Sequence, residues 1–476
     1  MPITGQLLPG VRQLQPAYEV ANSCRFNNGL NAGGDDAYMY RTNSSAGNRR
    51  TFTLSAWIKR GAYLNDEHPI LAAADTTAIR FSSEGGSNSK LNIFYYDGSS
   101  FVYRVHTNAE YRDPSAWMHL VVAFDTTQST ASNRIKIYVN GTQVTSMGNS
   151  DYPSENYETQ FNNNVLHSIA RNANSNDYYE GYLSEVVMID GQALDPTSFG
   201  EFDSNSPNIW KPKDVSGLTF GTNGFYLDFE NASSLGADVS GQSNNFTVTN
   251  LTSVDQSTDT CTNNFCTLNP LIGSNHITLS EGNLYASTTT SSWATETSTF
   301  VLSQGKWYLE VYVVGYNHNA LGVQPSENST TNVSGYAFDK TNAFGFKFYG
   351  GYKTSASGDS VSYGNQANNG DTVGMALDLD NHKIYFSVNG TFQASGDPTS
   401  GSTGTGSAFD LTTGVDYVIV NNLNHQSGGA ISSFNFGSPP HSISSGNADA
   451  NGFGNFEYSV PSGYFSLCSK NLAEFG

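Results

Sequence analysis

Acidic residues in the strand-like parts of this sequence are the first groups that could do chemistry. Retaining glycoside hydrolysis needs two carboxyl groups about 5 Å apart, and two residues of one strand share a face only when their spacing is even. The best candidates in the first half of the chain are Asp177, Glu180 and Glu185. Glu180 and Glu185 differ by five positions, so we expect them on opposite faces. Asp378 and Asp380 share a face, but they border an Asp-Asn turn, where such side chains commonly bond the backbone. We predict that the chain is not an enzyme.

Nucleophilic catalysis finds no better support in the residues. The sequence contains no G-x-S-x-G nucleophile elbow, and its nine histidines are scattered, mostly in polar segments. His119 follows Trp117 in an apolar run. This context indicates a side chain that faces solvent or satisfies a hydrogen bond in the core, rather than a catalytic base.

The four cysteines are too few for a disulfide framework in a chain of 476 residues. Cys261 and Cys266 lie close together in a segment rich in Asn and Thr, and they could form a small disulfide in an oxidising medium. A zinc site there would need two more ligands, and only His276 lies near.

Tyrosines beside Asn or Asp residues form another candidate site. Binding of a sugar needs an aromatic platform with a few polar groups placed at the rim. The segments NSNDYYEGY (174–182) and FYYDGSSFVY (94–103) combine these groups, and so do YNHN (316–319) and YGGYK (349–353). With 27 tyrosines in the chain, a core position is the competing interpretation for each ring. The rings that we nominate for glycan binding are Tyr178, Tyr179, Tyr349 and Tyr352.

Composition excludes several classes of partner. The net charge is −20, and no run of Lys or Arg provides a basic patch, so we expect no nucleic-acid partner. No stretch approaches the roughly 20 apolar residues that span a bilayer, so we expect no membrane insertion. The first 16 residues, MPITGQLLPGVRQLQP, lack the basic and apolar regions of a signal peptide.

Strands must position these candidate groups. Apolar residues alternate in FTLSAWIK (52–59) and in GKWYLEVYVVG (305–315), as in strands with one buried face. The continuous apolar run WMHLVVAFD (117–125) predicts a strand that is covered on both faces. No segment shows a long helical period. Two Asn-Gly pairs predict tight hairpins, at 140–141 and 389–390.

Two sets of these motifs resemble known families. FTLSAWIKR, WMHLVVAFD, IKIYVNGTQV and GYLSEVVMIDGQAL, in this order, resemble the laminin G-like, concanavalin A-like jelly-roll domain over about 24–195. GKWYLEVYV, GDTVGMALDLDNHKIYFSVNG and ISSFNFG resemble a SPRY domain over about 290–438. The resemblance implies an all-β protein with two jelly-roll-like antiparallel β-sandwich domains in tandem.

The predicted organisation has five parts. They are an N-terminal arm (1–20), a laminin G-like sandwich (21–195), a flap and linker (196–285), a SPRY-like sandwich (286–438) and a C-terminal tail (439–476).

The first resemblance also implies a cofactor, because laminin G-like domains often hold one calcium ion at the rim. Calcium takes six to eight oxygen ligands. The loop NNGLNAGGDDAYMY (27–40) offers Asp35 and Asp36 beside flexible glycines. Two solvated loop carboxylates are the competing interpretation.

The joining segment, which begins GLTFGTNGFYLDFENASS (217–234) and ends TNNFCTLNPL (262–271), resembles virion-associated proteins of tailed phages, and so does the ending VPSGYFSLCSKNL (460–472). This resemblance implies a non-enzymatic virion protein of the tail-fibre or capsid-decoration type, made in the host cytoplasm and carried on the virion surface. Its expected role is an adhesin for host-surface glycans. The alternative is a decoration or fibre-base protein whose sandwiches only pack against other virion subunits. The expected partners are bacterial surface polysaccharide, other virion proteins and further copies of the chain.

Overall fold

A computed structural model describes most of the chain. The described residues are 18–27, 36–61, 67–74, 76–82, 89–172, 177–204, 206–316, 318–329, 335–356, 360–425 and 429–476. Most of the predicted N-terminal arm, residues 1–17, lies outside them. The described chain is almost entirely β-structure arranged as stacked antiparallel sheets, which confirms the predicted fold class.

The first sandwich is built from two large sheets and a small hairpin. Its strands are β1 (Ser23–Phe26), β2 (Tyr38–Thr42), β3 (Thr51–Arg60), β4 (His68–Ala73), β5 (Thr77–Ser82), β6 (Lys90–Tyr96), β7 (Phe101–Glu110), β8 (Met118–Asp125), β9 (Ile135–Val139), β10 (Thr142–Gln143), β11 (Met147–Asp151), β12 (Leu166–Ile169), β13 (Gly181–Asp190), β14 (Gly200–Phe202), β15 (Trp210–Pro212), β16 (Phe225–Leu227), β17 (Thr247–Thr249) and β18 (Gln256–Ser257). The first sheet has the order β10-β9-β8-β3-β13-β1-β18, with β16 added to β13. The second sheet has the order β11-β7-β6-β5-β4-β12-β2-β17.

The first core fills the space between these two sheets. The predicted inward face of β3, formed by Phe52, Leu54, Ala56 and Ile58, is fully buried in it. The hairpin between β9 and β10 turns at residues 140–141, both with positive φ, as the Asn-Gly pair predicts.

The segment after β13 covers the outer face of the first sheet. Val121 of β8 and Val187 of β13 pack there against Phe199, Val215 and Phe220. The strand β8 is therefore buried on both faces, as its continuous apolar run predicts. The same segment supplies β16 to the first sheet and β17 to the second.

The second sandwich has two sheets of its own. Its strands are β19 (Leu268–Gly273), β20 (Ile277–Ser280), β21 (Tyr285–Thr288), β22 (Ala294–Ser298), β23 (Lys306–Gly315), β24 (His318–Pro325), β25 (Phe344–Lys347), β26 (Tyr352–Ser355), β27 (Val361–Ser362), β28 (Thr372–Asp378), β29 (Lys383–Val388), β30 (Thr391–Phe392), β31 (Phe409–Asp410), β32 (Tyr417–Asn424), β33 (Ala430–Asn435) and β34 (Phe465–Ser466). The third sheet has the order β19-β22-β32-β24-β25-β26-β27. The fourth has the order β20-β21-β33-β23-β28-β29-β30, with β31 on β29 and β34 parallel to β23.

The second core lies between the third and fourth sheets. The alternating residues Trp307, Leu309, Val311 and Val313 of β23 are buried in it. A seven-residue helix, α1 (Ser469–Phe475), follows β34. Among the described helices, none has the length and apolar character of a membrane span.

A buried ion pair fastens the first sandwich to the chain that leads into the second. Lys59 of β3 is 1% exposed, and its Nζ donates to Asp259 Oδ2 at 2.6 Å, Asn264 Oδ1 at 2.7 Å and the carbonyl oxygen of Phe265 at 2.7 Å. All three donors of the ammonium group are thus used. Asp259 Oδ1 accepts the indole N–H of Trp117 at 2.9 Å. Both charges are therefore fully hydrogen-bonded.

A second buried cation joins the two sandwiches directly. Arg25 of β1 donates from Nε to Glu281 Oε2 at 3.2 Å and from its terminal nitrogens to the carbonyl oxygens of Val254 and Pro439. Next to it, the amide of Gly282 donates to Glu180 Oε1 at 2.8 Å. Polar contacts with defined geometry therefore form the joint.

We predict that Lys59→Met lowers the free energy of unfolding by about 3–5 kcal/mol, because the Asp259 charge would stay buried without its cation. The matched control is Lys470→Met. Its ammonium pairs with Glu19 at the surface, where a salt bridge is worth less than about 1 kcal/mol. Urea unfolding of both variants tests this, and equal losses of stability would show that the buried pair has no special role.

Candidate functional site

The outward face of the second sheet carries a groove of about 340 Å³. The β-sheet register explains its floor. Ala72 of β4 pairs with Ala78 of β5, and Ala78 pairs with Phe94 of β6, so these three side chains share one row across three strands. The two small alanines leave depth beside the large ring.

Aromatic rings form one wall of the groove. Tyr96 and Phe101 flank the turn between β6 and β7, and their ring centroids lie 5.3 Å apart. The ring of Phe101 meets that of Phe94 edge-on at 5.9 Å. Phe101 is 44% exposed, although it is a large apolar side chain. An exposed ring at the edge of a groove is a typical platform for a ligand.

Polar groups complete the lining. The guanidinium of Arg80 lies 4.2 Å from the centroid of the Phe94 ring, and its Nε lies 3.0 Å from Glu67 Oε2. Across the floor, Asn172 Nδ2 donates to Asp177 Oδ2 at 2.7 Å. The groove therefore offers ring faces together with hydrogen-bonding groups of fixed orientation.

The turn that presents Phe101 is held by one carboxylate. Asp97 Oδ1 accepts hydrogen bonds from the amides of Ser99 and Ser100, at 2.9 Å each, and from the Ser99 hydroxyl. These bonds lower the pKa of Asp97 because they stabilise its charged form. The aromatic wall is thus positioned by turn chemistry.

The structure corrects two of the nominated glycan-binding tyrosines. Tyr179 is fully buried, and its hydroxyl donates to the carbonyl oxygen of Lys59 at 2.8 Å, so it is a core residue. Tyr178 is 9% exposed, and its ring packs against Tyr38 and the guanidinium of Arg171. The described parts of the segments 94–103 and 174–182 do meet at the groove, which Phe94, Tyr96, Phe101 and Asp177 help to line. The residues that line it, however, are their neighbours in the sequence.

The other two nominated tyrosines belong to an aromatic cluster on the outward face of the third sheet. The ring of Tyr349 lies 4.2 Å from that of His318, which stacks on Trp293 at 6.0 Å. Trp293 also contacts Tyr336 at 4.6 Å. Phe346 and Phe348 point into the second core, so Lys347 between them lies on the outward face. Tyr352 pairs with Lys347 across β25 and β26 and therefore lies on the same face. These rings are partly exposed.

The acidic residues considered for catalysis are hydrogen-bonded within the fold. Glu180 binds the backbone of the second sandwich, as described for the joint. Asp378 pairs with Lys306 at 2.9 Å and accepts from Asn381, and Asp380 accepts the amide of Gly305. Glu185 is 5% exposed and accepts hydrogen bonds from the hydroxyls of Tyr226 and Tyr18.

Of the two positions expected for His119, the structure shows a hydrogen-bonded side chain in the core rather than one that faces solvent. It is 1% exposed and stacks on Trp57 at 4.8 Å. Its Nδ1 accepts the indole N–H of Trp210 at 2.9 Å, so its Nε2 carries the proton shared with Ser55 Oγ at 2.8 Å. Burial lowers the pKa of His119 to about 3, so the ring is neutral.

Cys261 and Cys266, whose spacing suggests a small disulfide, are unbonded in this structure, and Cys261 lies within a turn of the linker over residues 260–263. The amides and carbonyls of Thr260 and Asn263 bond each other across this turn. Cys266 is 1% exposed and belongs to the second core, where its Sγ lies 3.7 Å from Thr299 Oγ1. Both cysteines are free thiols.

The calcium site stays a prediction. Asp35 lies outside the described residues. Burial and, next, the charge of the Asp36 carboxylate raise the pKa of Tyr178, so Asp36 lies near the Tyr178 hydroxyl. Within the described ranges, no three His, Cys, Asp or Glu side chains come together as a metal site.

Comparison with known families bears on the first sandwich. Residues 32–198 match the family model described as the Concanavalin A-like lectin/glucanases superfamily. The first sandwich is similar to concanavalin A-like domains. This description covers lectins and glucanases alike. A search of curated proteins finds no match at a significant level.

Solved structures give weaker likenesses. A human SPRY domain is 14% identical with a TM-score of 0.26, and the match covers 36% of this chain and 98% of that one. The SPRY domain of human HERC1 is 13% identical with the same TM-score, over 32% of this chain and 87% of that chain. A candidate carbohydrate-binding protein from Bacteroides ovatus is 16% identical with a TM-score of 0.31, and the match covers 49% of this chain and 58% of that one. Scores this low carry no argument about function.

The buried Glu185 generates a prediction about pH. Burial raises its pKa from 4.5 to about 7, so the folded state favours the protonated form. Its contribution to stability is therefore present below pH 4.5 and is lost as the pH rises to about 7. Relative to the unchanged protein, Glu185→Gln should gain about 3 kcal/mol over this range, at about 1.4 kcal/mol per pKa unit.

Chemical denaturation between pH 4.5 and 7.5 measures this difference. The control is Glu158→Gln, whose carboxylate lies at the surface beside Arg49 and Arg50, where a salt bridge is worth less than about 1 kcal/mol. Parallel stability curves for Glu185→Gln and the unchanged protein would refute the assignment.

Proposed function

We propose that this protein binds carbohydrate without catalysis, through the groove on the outward face of the second sheet. The observation that carries the proposal is the exposed aromatic wall of Tyr96 and Phe101 beside the polar groups of Arg80, Asn172 and Asp177. The match of residues 32–198 to the lectin and glucanase superfamily supports it.

The physical basis is the two-sided chemistry of a sugar ring. Its apolar C–H face packs on an aromatic ring, and its hydroxyls need donors and acceptors with fixed positions. The groove presents both, because Phe101 lies opposite Asn172 and Asp177 across the alanine floor. Its volume of about 340 Å³ is within the range of small-molecule sites.

The biological setting that we propose is a phage virion. The protein would lie on the virion surface, associate with other virion proteins and with copies of itself, and attach to bacterial surface polysaccharide. The sequence resemblance of the joining segment and the C-terminal ending to tailed-phage proteins supports this setting. A surface rich in Asn, Ser and Thr, with 13% charged residues, suits recognition of neutral hydroxyl groups.

One observation favours the alternative role as a decoration or fibre-base protein. Phe202 and Ile209, near the tip of the β14–β15 hairpin, are 48% and 58% exposed. Exposed apolar groups at a hairpin tip could pack against a neighbouring virion subunit. In that role the sandwiches would need no sugar ligand.

We predict that Phe101→Ala weakens binding to the recognised glycans by about ten-fold, or about 1.4 kcal/mol, because the ring platform is removed. The measurement is binding of the full chain to an array of bacterial glycans. Phe202→Ala is the matched control, since this phenylalanine is similarly exposed (48% against 44%) but lies far from the groove in the fold. Its binding should be unchanged.

Repeating the array with calcium and then with a chelator tests the predicted ion. Loss of binding with chelator would support a calcium site near Asp36. A folded, unchanged protein that binds no glycan would refute the proposed function and favour the decoration role. Binding that survives Phe101→Ala would refute the groove as the site.

A further inference from the structure

A largely buried lysine lies beside the aromatic cluster on the third sheet. Lys347 of β25 is 8% exposed, and its Nζ donates to Ser360 Oγ at 2.7 Å. The same Nζ lies 4.9 Å from the centroid of the Tyr336 ring. Among the described residues, no carboxylate oxygen lies within 4 Å of this ammonium group. The contacts of this ammonium group within the described part of the chain are a hydroxyl and an aromatic face.

A hydroxyl and an aromatic face stabilise the charge of the Lys347 ammonium group less than an anion would. An ammonium group that is largely removed from water favours a nearby anion. Burial lowers the pKa of Lys347, and the Asp339 carboxylate only partly opposes this effect. Burial and the nearby Lys347 also lower the pKa of His318. The net charge of the chain is −20, so an ammonium group with no ion-pair partner among the described residues is an exception to its overall charge balance.

The rings around Lys347 supply an apolar platform. Tyr336 contacts Trp293, Trp293 stacks on His318, and His318 contacts Tyr349, so the rings form a continuous arc beside the lysine. A ligand that fits this site has one flat apolar face and one negative charge. A single ammonium group matches one carboxylate, whereas a phosphate with two charges is usually held by several donors.

We propose that the Lys347 cluster, defined as Lys347 with Trp293, His318, Tyr336 and Tyr349, is a second carbohydrate site that binds a carboxylated sugar such as a uronic acid. The inference rests on the proposed carbohydrate-binding function. The carboxylate pairs with Lys347, and the sugar ring packs on Trp293 or Tyr349. The groove on the second sheet would remain a separate site.

The test is an array that holds uronic-acid oligosaccharides beside the same oligosaccharides with their carboxyl groups methyl-esterified. Esterification removes the charge and keeps the sugar. The unchanged protein should bind the acids at least ten-fold more tightly than the esters. Lys347→Gln should lose this preference, and Lys347→Arg should keep most of it.

The matched control is Lys353→Gln. Lys353 lies on the neighbouring strand β26 but on the opposite face of the sheet, where it contacts the rings of Tyr363 and Phe409. Its replacement should leave the preference for acids intact. Phe101→Ala, in the first groove, should also leave it intact.

Each other outcome overturns the proposal in a distinct way. Equal binding of acids and esters by the unchanged protein, with neutral glycans still bound, would refute this site and leave the proposed function standing. A preference that survives Lys347→Gln would place charge recognition elsewhere. No glycan binding at all would refute both proposals. Lys347-dependent capture of peptides on a parallel peptide array, without uronate binding, would assign the cluster to protein ligands.

Discussion

The ion pair between Lys59 and Asp259 is the constraint on which the arrangement of the molecule depends. It fixes the linker against β3 of the first sandwich, 200 residues away in sequence. A few residues later the same linker enters the second core through Cys266 and Leu268. Both charges have all their hydrogen bonds. Any movement of the linker relative to β3 would therefore leave a buried charge without its partner, at a large cost in free energy. Arg25 then closes the joint from the other side.

The two cores and the segments that cover two of the sheets explain why the candidate binding surfaces lie on the remaining outward faces. The inward faces of all four sheets are filled by the two cores, and the outer face of the first sheet is covered by the segment that follows β13. The outer face of the fourth sheet is covered by Phe456 and Tyr464 of the C-terminal segment. The outward faces of the second and third sheets remain. One carries the groove with its alanine floor, and the other carries the Lys347 cluster. Both combine partly exposed rings with a cation in a strongly acidic chain.

Local features of the fold could be predicted from the sequence. Alternation placed Phe52 and Trp307 in their cores, and the Asn-Gly pairs form turns with positive φ. The groove could not be predicted, because its floor depends on the register of three strands. The two alanines of the floor carry no sequence signal that separates them from other alanines in strands. The core position of Tyr179 could not be predicted for a related reason. Its buried hydroxyl is satisfied by the backbone carbonyl of Lys59, which is distant in sequence.

A crystal structure of the full chain with an oligosaccharide selected on the glycan array tests the central claim most directly. The account predicts a sugar ring packed against Phe101 and Tyr96, with hydroxyls bonded to Asn172, Asp177 or Arg80. Density for the sugar away from both the groove and the Lys347 cluster, with Phe101 uncontacted, would contradict it.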